Sequence, residues 1–314
     1  MSNEDTTKHI FIEGQNSSIR PNIIMLVALL YFQFGTTYVF RYIGRPLITA
    51  LGFDINNLNW VFERIYGLFV LFGVPIVIYI LYLIITKQRI SPVFYFKKID
   101  MKNLGFIVIL TFAFSFIVNP FLLDTPSILS STPQHIPNRT PLYTFISGMV
   151  LVSIFEELMF RGFLISEYKR HRVAFWKIAL ATGLLFGLIH FGLQPVIFTA
   201  INGILWAYML YLTRSMWAVI LSHFIANSGI FWHPALYIND LSTYQAVMPV
   251  YAIVMMILAV VSVPVLIIFA RKFVAYNSHN RIRKEDLPKE TKAFTWTYWA
   301  LIIALLAVIV IFRI

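Results

Sequence analysis

The stretch 153-SIFEELMFRGFL-164 sets Glu156, Glu157 and Arg161 in a run of Phe, Leu, Ile and Met. Downstream, 185-LFGLIHF-191 carries His190, and 221-LSHFIANS-228 carries His223 and Asn227. Each lies in an otherwise apolar segment. Ionisable groups at such depth cost roughly 2.5–3.5 kcal/mol each on insertion scales and mark functional positions. Spacing divides the first cluster. Glu157 and Arg161 are four residues apart, so on a helix they share a face and can pair. Glu156 is turned by about 100° from Glu157 and points elsewhere. Phe186 and His190 are also four apart, as are His223 and Asn227.

Desolvation makes a carboxylate a stronger base, and a general base beside a histidine suits the activation of water. A second histidine and an asparagine amide are donors that can stabilise an oxyanion. Together these are the parts for hydrolysis of an acyl bond inside a membrane. Other hydrolytic chemistries fit less well. The chain has no cysteine, no aspartate lies deep in an apolar run, and His223 is followed by Phe-Ile-Ala-Asn, so no His-Glu-x-x-His pair exists. Ser228 stands near the end of its segment without an obvious activating partner. The set Glu156, His190 and His223 has the donor types that Zn²⁺ accepts. The reading taken here needs no cofactor, with zinc as the alternative.

What must position these groups follows from composition. Of 314 residues, 59% are hydrophobic and only 12% charged, where soluble domains carry about a quarter. Mean hydropathy is +0.76. Apolar runs of roughly 20 residues match a hydrocarbon core of about 30 Å, and helices satisfy their own backbone there. The expected fold is an all-α, polytopic transmembrane helical bundle of 8–9 spans. Nine candidates fall at about 22–42, 61–86, 104–123, 141–166, 174–191, 195–212, 216–232, 246–270 and 294–312. The fifth and sixth, joined by little more than Gly192 to Pro195, form a tight antiparallel pair.

The net charge of +11 reads as loop charge that sets topology and meets anionic lipid, not as a nucleic-acid surface. Basic loops at 87–102, 169–172 and 271–292 alternate with loops poorer in Lys and Arg. Positive-inside reasoning expects a cytoplasmic N-terminus and a multi-pass protein of the plasma membrane. The expected organisation is a tail over 1–21, N-terminal spans over 22–140, a catalytic core over 141–232, and C-terminal spans with a charged linker over 233–314.

These residues, in this order, resemble the CPBP family of intramembrane proteases, which includes type II CAAX prenyl endopeptidases and bacterial bacteriocin-processing or self-immunity proteins. Glu156, Glu157 and Arg161 match its Glu-Glu-x-x-x-Arg motif, followed by Gly162-Phe163-Leu164. Phe186 and His190 match Phe-x-x-x-His, and His223 and Asn227 match His-x-x-x-Asn. Asn202-Gly203 and Leu212 to Ser215 also look like the family. The resemblance implies Glu156 as the base that activates water, with His190 assisting. It implies His223 and Asn227 as the oxyanion pair, and Glu157 with Arg161 as support. In prenyl-processing members the substrate ends in a prenylated cysteine motif; the mixed tail and small size here look bacterial, so the expected substrate is a peptide or membrane protein. A non-proteolytic scaffold or immunity protein binding a sensor kinase or receptor is the competing reading, and a transporter with a Glu156–histidine proton relay is a third.

Overall fold

The computed structural model describes residues 38–52, 69–85, 95–122, 144–170, 173–190, 193–229 and 241–280, with isolated positions that include 31, 67, 233 and 298. Most of the expected spans at 22–42 and 294–312, the tail over 1–21 and most of the charged linker lie outside the described residues. Among the described residues every regular element is helical, with no strand. A π-helical segment, Val39–Gly44, runs into α1 (Arg45–Ala50), and another, Phe69–Gly73, runs into α2 (Val74–Ile85). Next comes α3 (Met101–Leu122). The chain from 144 to 170 is continuously helical but changes pitch: π over Thr144–Leu151, α4 (Val152–Glu157), π over Leu158–Leu164, then α5 (Ile165–Arg170). The remaining helices are α6 (Phe175–Leu188), α7 (Leu193–Thr213), α8 (Met216–Asn227) and α9 (Leu241–Tyr276).

Three described helices are long and apolar enough to cross a membrane: Met101–Phe121, Val196–Thr213 and Ser242–Tyr276. Val74–Ile85, Phe175–Leu188 and Met216–Asn227 are apolar but shorter. At 1.5 Å per residue, α6 and α8 reach only about 21 and 18 Å. Both stop where the sequence places its polar groups: α6 ends before His190, and Asn227 is the last residue of α8.

The described residues form two compact bodies. One takes in residues of 1–96, 155–208 and 282–314, the other residues of 97–154 and 209–281. In the first body the antiparallel pair α6 and the N-terminal part of α7 packs through small residues. A Cβ on Gly187 would lie 2.5 Å from the Val196 carbonyl oxygen and 2.7 Å from the Ala200 Cβ. One on Gly183 would meet the Ile204 side chain at 2.5 Å and its backbone nitrogen at 2.9 Å. Gly183 and Gly187 thus form the small-xxx-small stripe that lets membrane helices approach by backbone contact. Elsewhere in this body Tyr79 of α2 stacks on Phe163, with ring centroids 3.7 Å apart. The Tyr298 hydroxyl donates to the Ala181 carbonyl at 3.3 Å.

The second body is built on α3 against α9, with α8 packed on α3. Its core joins Ile107 and Leu110 to Met209, Leu212, Ala218 and Phe273. Phe106 sets its ring edge against Phe269 and Phe273. A buried polar clasp fixes the register of the two long helices. Asn103 and Asn277 exchange side-chain amide bonds at 3.2 and 2.7 Å. Asn277 also donates to the Phe273 carbonyl at 3.0 Å. Asp100 caps α3, accepting the Asn103 backbone N–H at 2.9 Å and its amide at 2.6 Å. Burial works to raise the Asp100 carboxyl, but the Asn103 bonds outweigh it and hold the group below its ordinary 3.8.

Four variants test this packing by thermal unfolding in detergent. Gly187→Ala forces α6 and α7 apart and costs about 1–3 kcal/mol. Gly105→Ala, on α3 where an added Cβ meets nothing within 4 Å, is neutral or stabilising by about 0.5–1 kcal/mol; equal melting points for the two variants would contradict the close approach. Asn277→Ala strands a buried amide and costs about 1–3 kcal/mol. Because the Asp100 carboxyl is depressed in the folded state, its cap stabilises fully above the ordinary value. That stability is lost as pH falls through the lower folded value. Asp100→Asn therefore flattens the loss of melting temperature below about pH 4.

Candidate active site

Five of the seven residues singled out in the sequence come together in the first body. Glu157 is fully buried, and Arg161 donates to it from Nη1 to Oε1 at 3.0 Å. The second terminal nitrogen, Nη2, donates to the Gly203 carbonyl on α7 at 3.1 Å. That contact needs the bare backbone of the α6–α7 crossing: a Cβ on Gly203 would stand 2.8 Å from the Gly183 Cα and 3.3 Å from Arg161 Nη2. The guanidinium carbon lies 4.5 Å from the Phe186 ring centre, 5.2 Å from that of Trp206 and 5.8 Å from that of Phe160. Phe186 stands edge-on to both Phe160 and Trp206. A cation taken out of water is thus met by one carboxylate, one carbonyl and aromatic faces, each of which is attractive to it.

Glu156 faces the other way. Its Oε2 lies 4.0 Å from His190 Nε2, and the histidine side chain keeps 30% exposure against 9% for the glutamate. His190 is not inside the helix, as the sequence reading had it, but in the turn beyond Leu188. Its backbone N–H bonds to the Gly187 carbonyl at 3.0 Å, and its Nδ1 lies 2.7 Å from the Phe186 carbonyl. The last carbonyls of a helix lack backbone partners, and a carbonyl only accepts. Nδ1 therefore carries the hydrogen, and in the neutral ring Nε2 presents its lone pair toward Glu156. The Phe186 ring lies 4.8 Å from the imidazole, edge to face. Phe186 thus orients His190 twice, by its carbonyl and by its ring.

The turn to π pitch directly after Glu157 has a local meaning. Segments with i→i+5 bonding are rare and concentrate at functional sites. Here Leu158–Leu164 is π-helical and contains Arg161, with Met159 to Leu164 all buried.

His223 and Asn227 belong to the second body. His223 is 3% exposed on α8. Asn227 donates from Nδ2 to the Gly148 carbonyl at 3.0 Å, which fixes the amide and leaves its second N–H. The Ser228 hydroxyl donates back to the Ile225 carbonyl at 2.6 Å, as a helix-end serine does. Among the described residues no group of three or more histidines and carboxylates is arranged to hold a metal ion.

Sequence reasoning missed two contributors to the site and one buried carboxylate. The Gly203 carbonyl carries no side-chain signal, although the Gly183–Gly187 spacing marks a close helix crossing. Trp206, 4% exposed, reads in sequence as one more apolar residue. Glu167, at the expected end of a span, is buried at 1% exposure on α5.

No curated protein and no solved structure matches the chain significantly. Over residues 138–229, which contain all three motifs, the chain matches the family model described as type II CAAX prenyl endopeptidase Rce1-like, in agreement with the resemblance drawn from those motifs.

Proposed function

We propose that the protein is a membrane-embedded endopeptidase that hydrolyses a peptide bond with a water activated by Glu156. The observation that carries this reading is the 4.0 Å gap between Glu156 Oε2 and His190 Nε2. It is too long for a direct hydrogen bond. Two acceptors bridged by both O–H groups of one water stand about 4–4.5 Å apart, given O–H bonds of ordinary length. A water held in that way aims its lone pairs away from both groups, toward a bound carbonyl. The match to a CAAX-type protease family over the same residues supports the reading.

In the proposed reaction Glu156 takes a proton from water while the water oxygen bonds to the carbonyl carbon. His190 holds the water through Nε2. The motif resemblance nominates His223 and Asn227 as donors to the developing oxyanion. Collapse of the tetrahedral intermediate breaks the C–N bond, and the proton on Glu156 passes to the leaving amine. Glu157 and Arg161 take no proton; they fix the helix that carries Glu156. No metal has a role in these steps. We place the protein in a bacterial plasma membrane with a cytoplasmic N-terminus, acting on a peptide or membrane protein in processing or self-immunity. The basic loops and the absence of cysteine are compatible with that setting.

The two adjacent glutamates are expected to separate cleanly. Glu156→Gln lowers turnover by about 10²–10⁴-fold with an unchanged melting temperature. Glu157→Ala leaves a buried guanidinium unpaired and costs about 3–5 kcal/mol of stability. Cleavage is read by comparing membrane peptides from cells carrying wild-type protein, either variant, or no gene. Full peptide processing by well-expressed Glu156→Gln protein would refute the protease reading and favour a non-catalytic scaffold. Activity is also expected to survive strong chelators, and loss of activity restored by Zn²⁺ would overturn the metal-free mechanism.

A further inference from the structure

We infer that Trp206 is a positioning residue for the Glu156 site, acting through Arg161. The inference rests on the endopeptidase reading and adds to it a residue that none of the three motifs contains. One short piece of α7 supplies two of the contacts that hold the guanidinium. The Gly203 carbonyl accepts from Nη2 at 3.1 Å, and three residues on, the Trp206 indole covers the cation at 5.2 Å. Residues three apart on a helix share a face, so both reach Arg161 from one side. Glu157 at 3.0 Å and the Phe186 ring at 4.5 Å hold it as well.

Phe186 is the link that makes this arrangement matter for chemistry. Trp206 stands edge-on to Phe186 at 5.7 Å, and Phe186 holds the His190 imidazole by ring and carbonyl. Trp206 therefore braces both halves of the Glu156–His190 pair: the helix of Glu156 through Arg161 and Glu157, and His190 through Phe186. Tryptophan is the strongest aromatic partner for a cation, most of all away from water. A smaller ring retains part of this contact, and an aliphatic side chain retains none.

The test uses the full-length protein in detergent with a quenched fluorogenic peptide bearing a prenylated CAAX end, the substrate type in the matched family's description. Trp206→Leu is expected to lower kcat about tenfold, with KM changed less than about threefold and Trp206→Phe recovering most of the loss. In an Arg161→Gln background, Trp206→Leu adds less than about twofold, because the cation it would contact is already gone. Additive losses in the two backgrounds, a loss carried by KM, or a Trp206→Phe variant as impaired as Trp206→Leu would each overturn the inference. Glu156→Gln runs alongside: wild-type turnover by that variant refutes the endopeptidase reading itself, a different result from an additive cycle. If the peptide is not turned over at all, the same cycle is read on melting temperature. There, strict additivity of Trp206→Leu and Arg161→Gln overturns the contact, and non-additivity sustains it.

Discussion

The first body depends on one constraint: a guanidinium has been taken out of water and must be satisfied where it lies. Arg161 is fully buried, and a buried charge persists only with a close counter-charge and further hydrogen bonds. Glu157 supplies the charge. The second bond is more demanding, because the acceptor is the backbone of another helix, 42 residues away in sequence. A backbone carbonyl can reach a side chain across a helix interface only if the helices nearly touch. Gly183, Gly187 and Gly203 permit that approach. The glycine stripe, the aromatic faces around the cation and the fixed geometry of Glu157 are thus parts of one solution. Glu156 gains its orientation as a by-product, since its neighbour in sequence is immobilised facing the other way.

Helix ends supply the second organising idea. A histidine in mid-helix would find the carbonyl of residue i−4 already bonded to the backbone. By stopping α6 at Leu188, the chain leaves the Phe186 carbonyl open to the imidazole of the residue four positions on. Asn227 likewise ends α8 and reaches the Gly148 carbonyl within its own body. Short helices are poor membrane spans but good mounts for polar groups, because their last turn offers acceptors that a through-going helix lacks.

How much of this was legible in the sequence varies with the kind of signal. The opposed directions of Glu156 and Glu157 could be read, because the interval from Glu157 to Arg161 depends only on local helical geometry. So could the helical, membrane-type architecture and the tight pairing of α6 with α7, which follow from long apolar runs and a four-residue connection. The stopping point of α6 could not, since Ile189 and Phe191 continue the apolar pattern and Gly192 is the first breaker. The π pitch of Leu158–Leu164 has no residue code. Backbone acceptors such as Gly203 leave no mark on composition. Trp206 has the opposite problem: in a chain with 17% aromatic residues, one tryptophan in an apolar helix carries no distinguishing sign.

The Asn103–Asn277 clasp has a bearing on how the second body comes into being. Its partners are separated by 174 residues. At roughly 5–20 residues per second, α3 leaves the ribosome about 10–35 s before the end of α9 exists. Through that interval the Asn103 amide has Asp100, three residues away, but lacks the partner that completes its bonding. Capping by Asp100 is therefore more than a helix-end device. It gives α3 a locally satisfied polar terminus that can wait, and the late arrival of Asn277 then closes the body on its most distant helix.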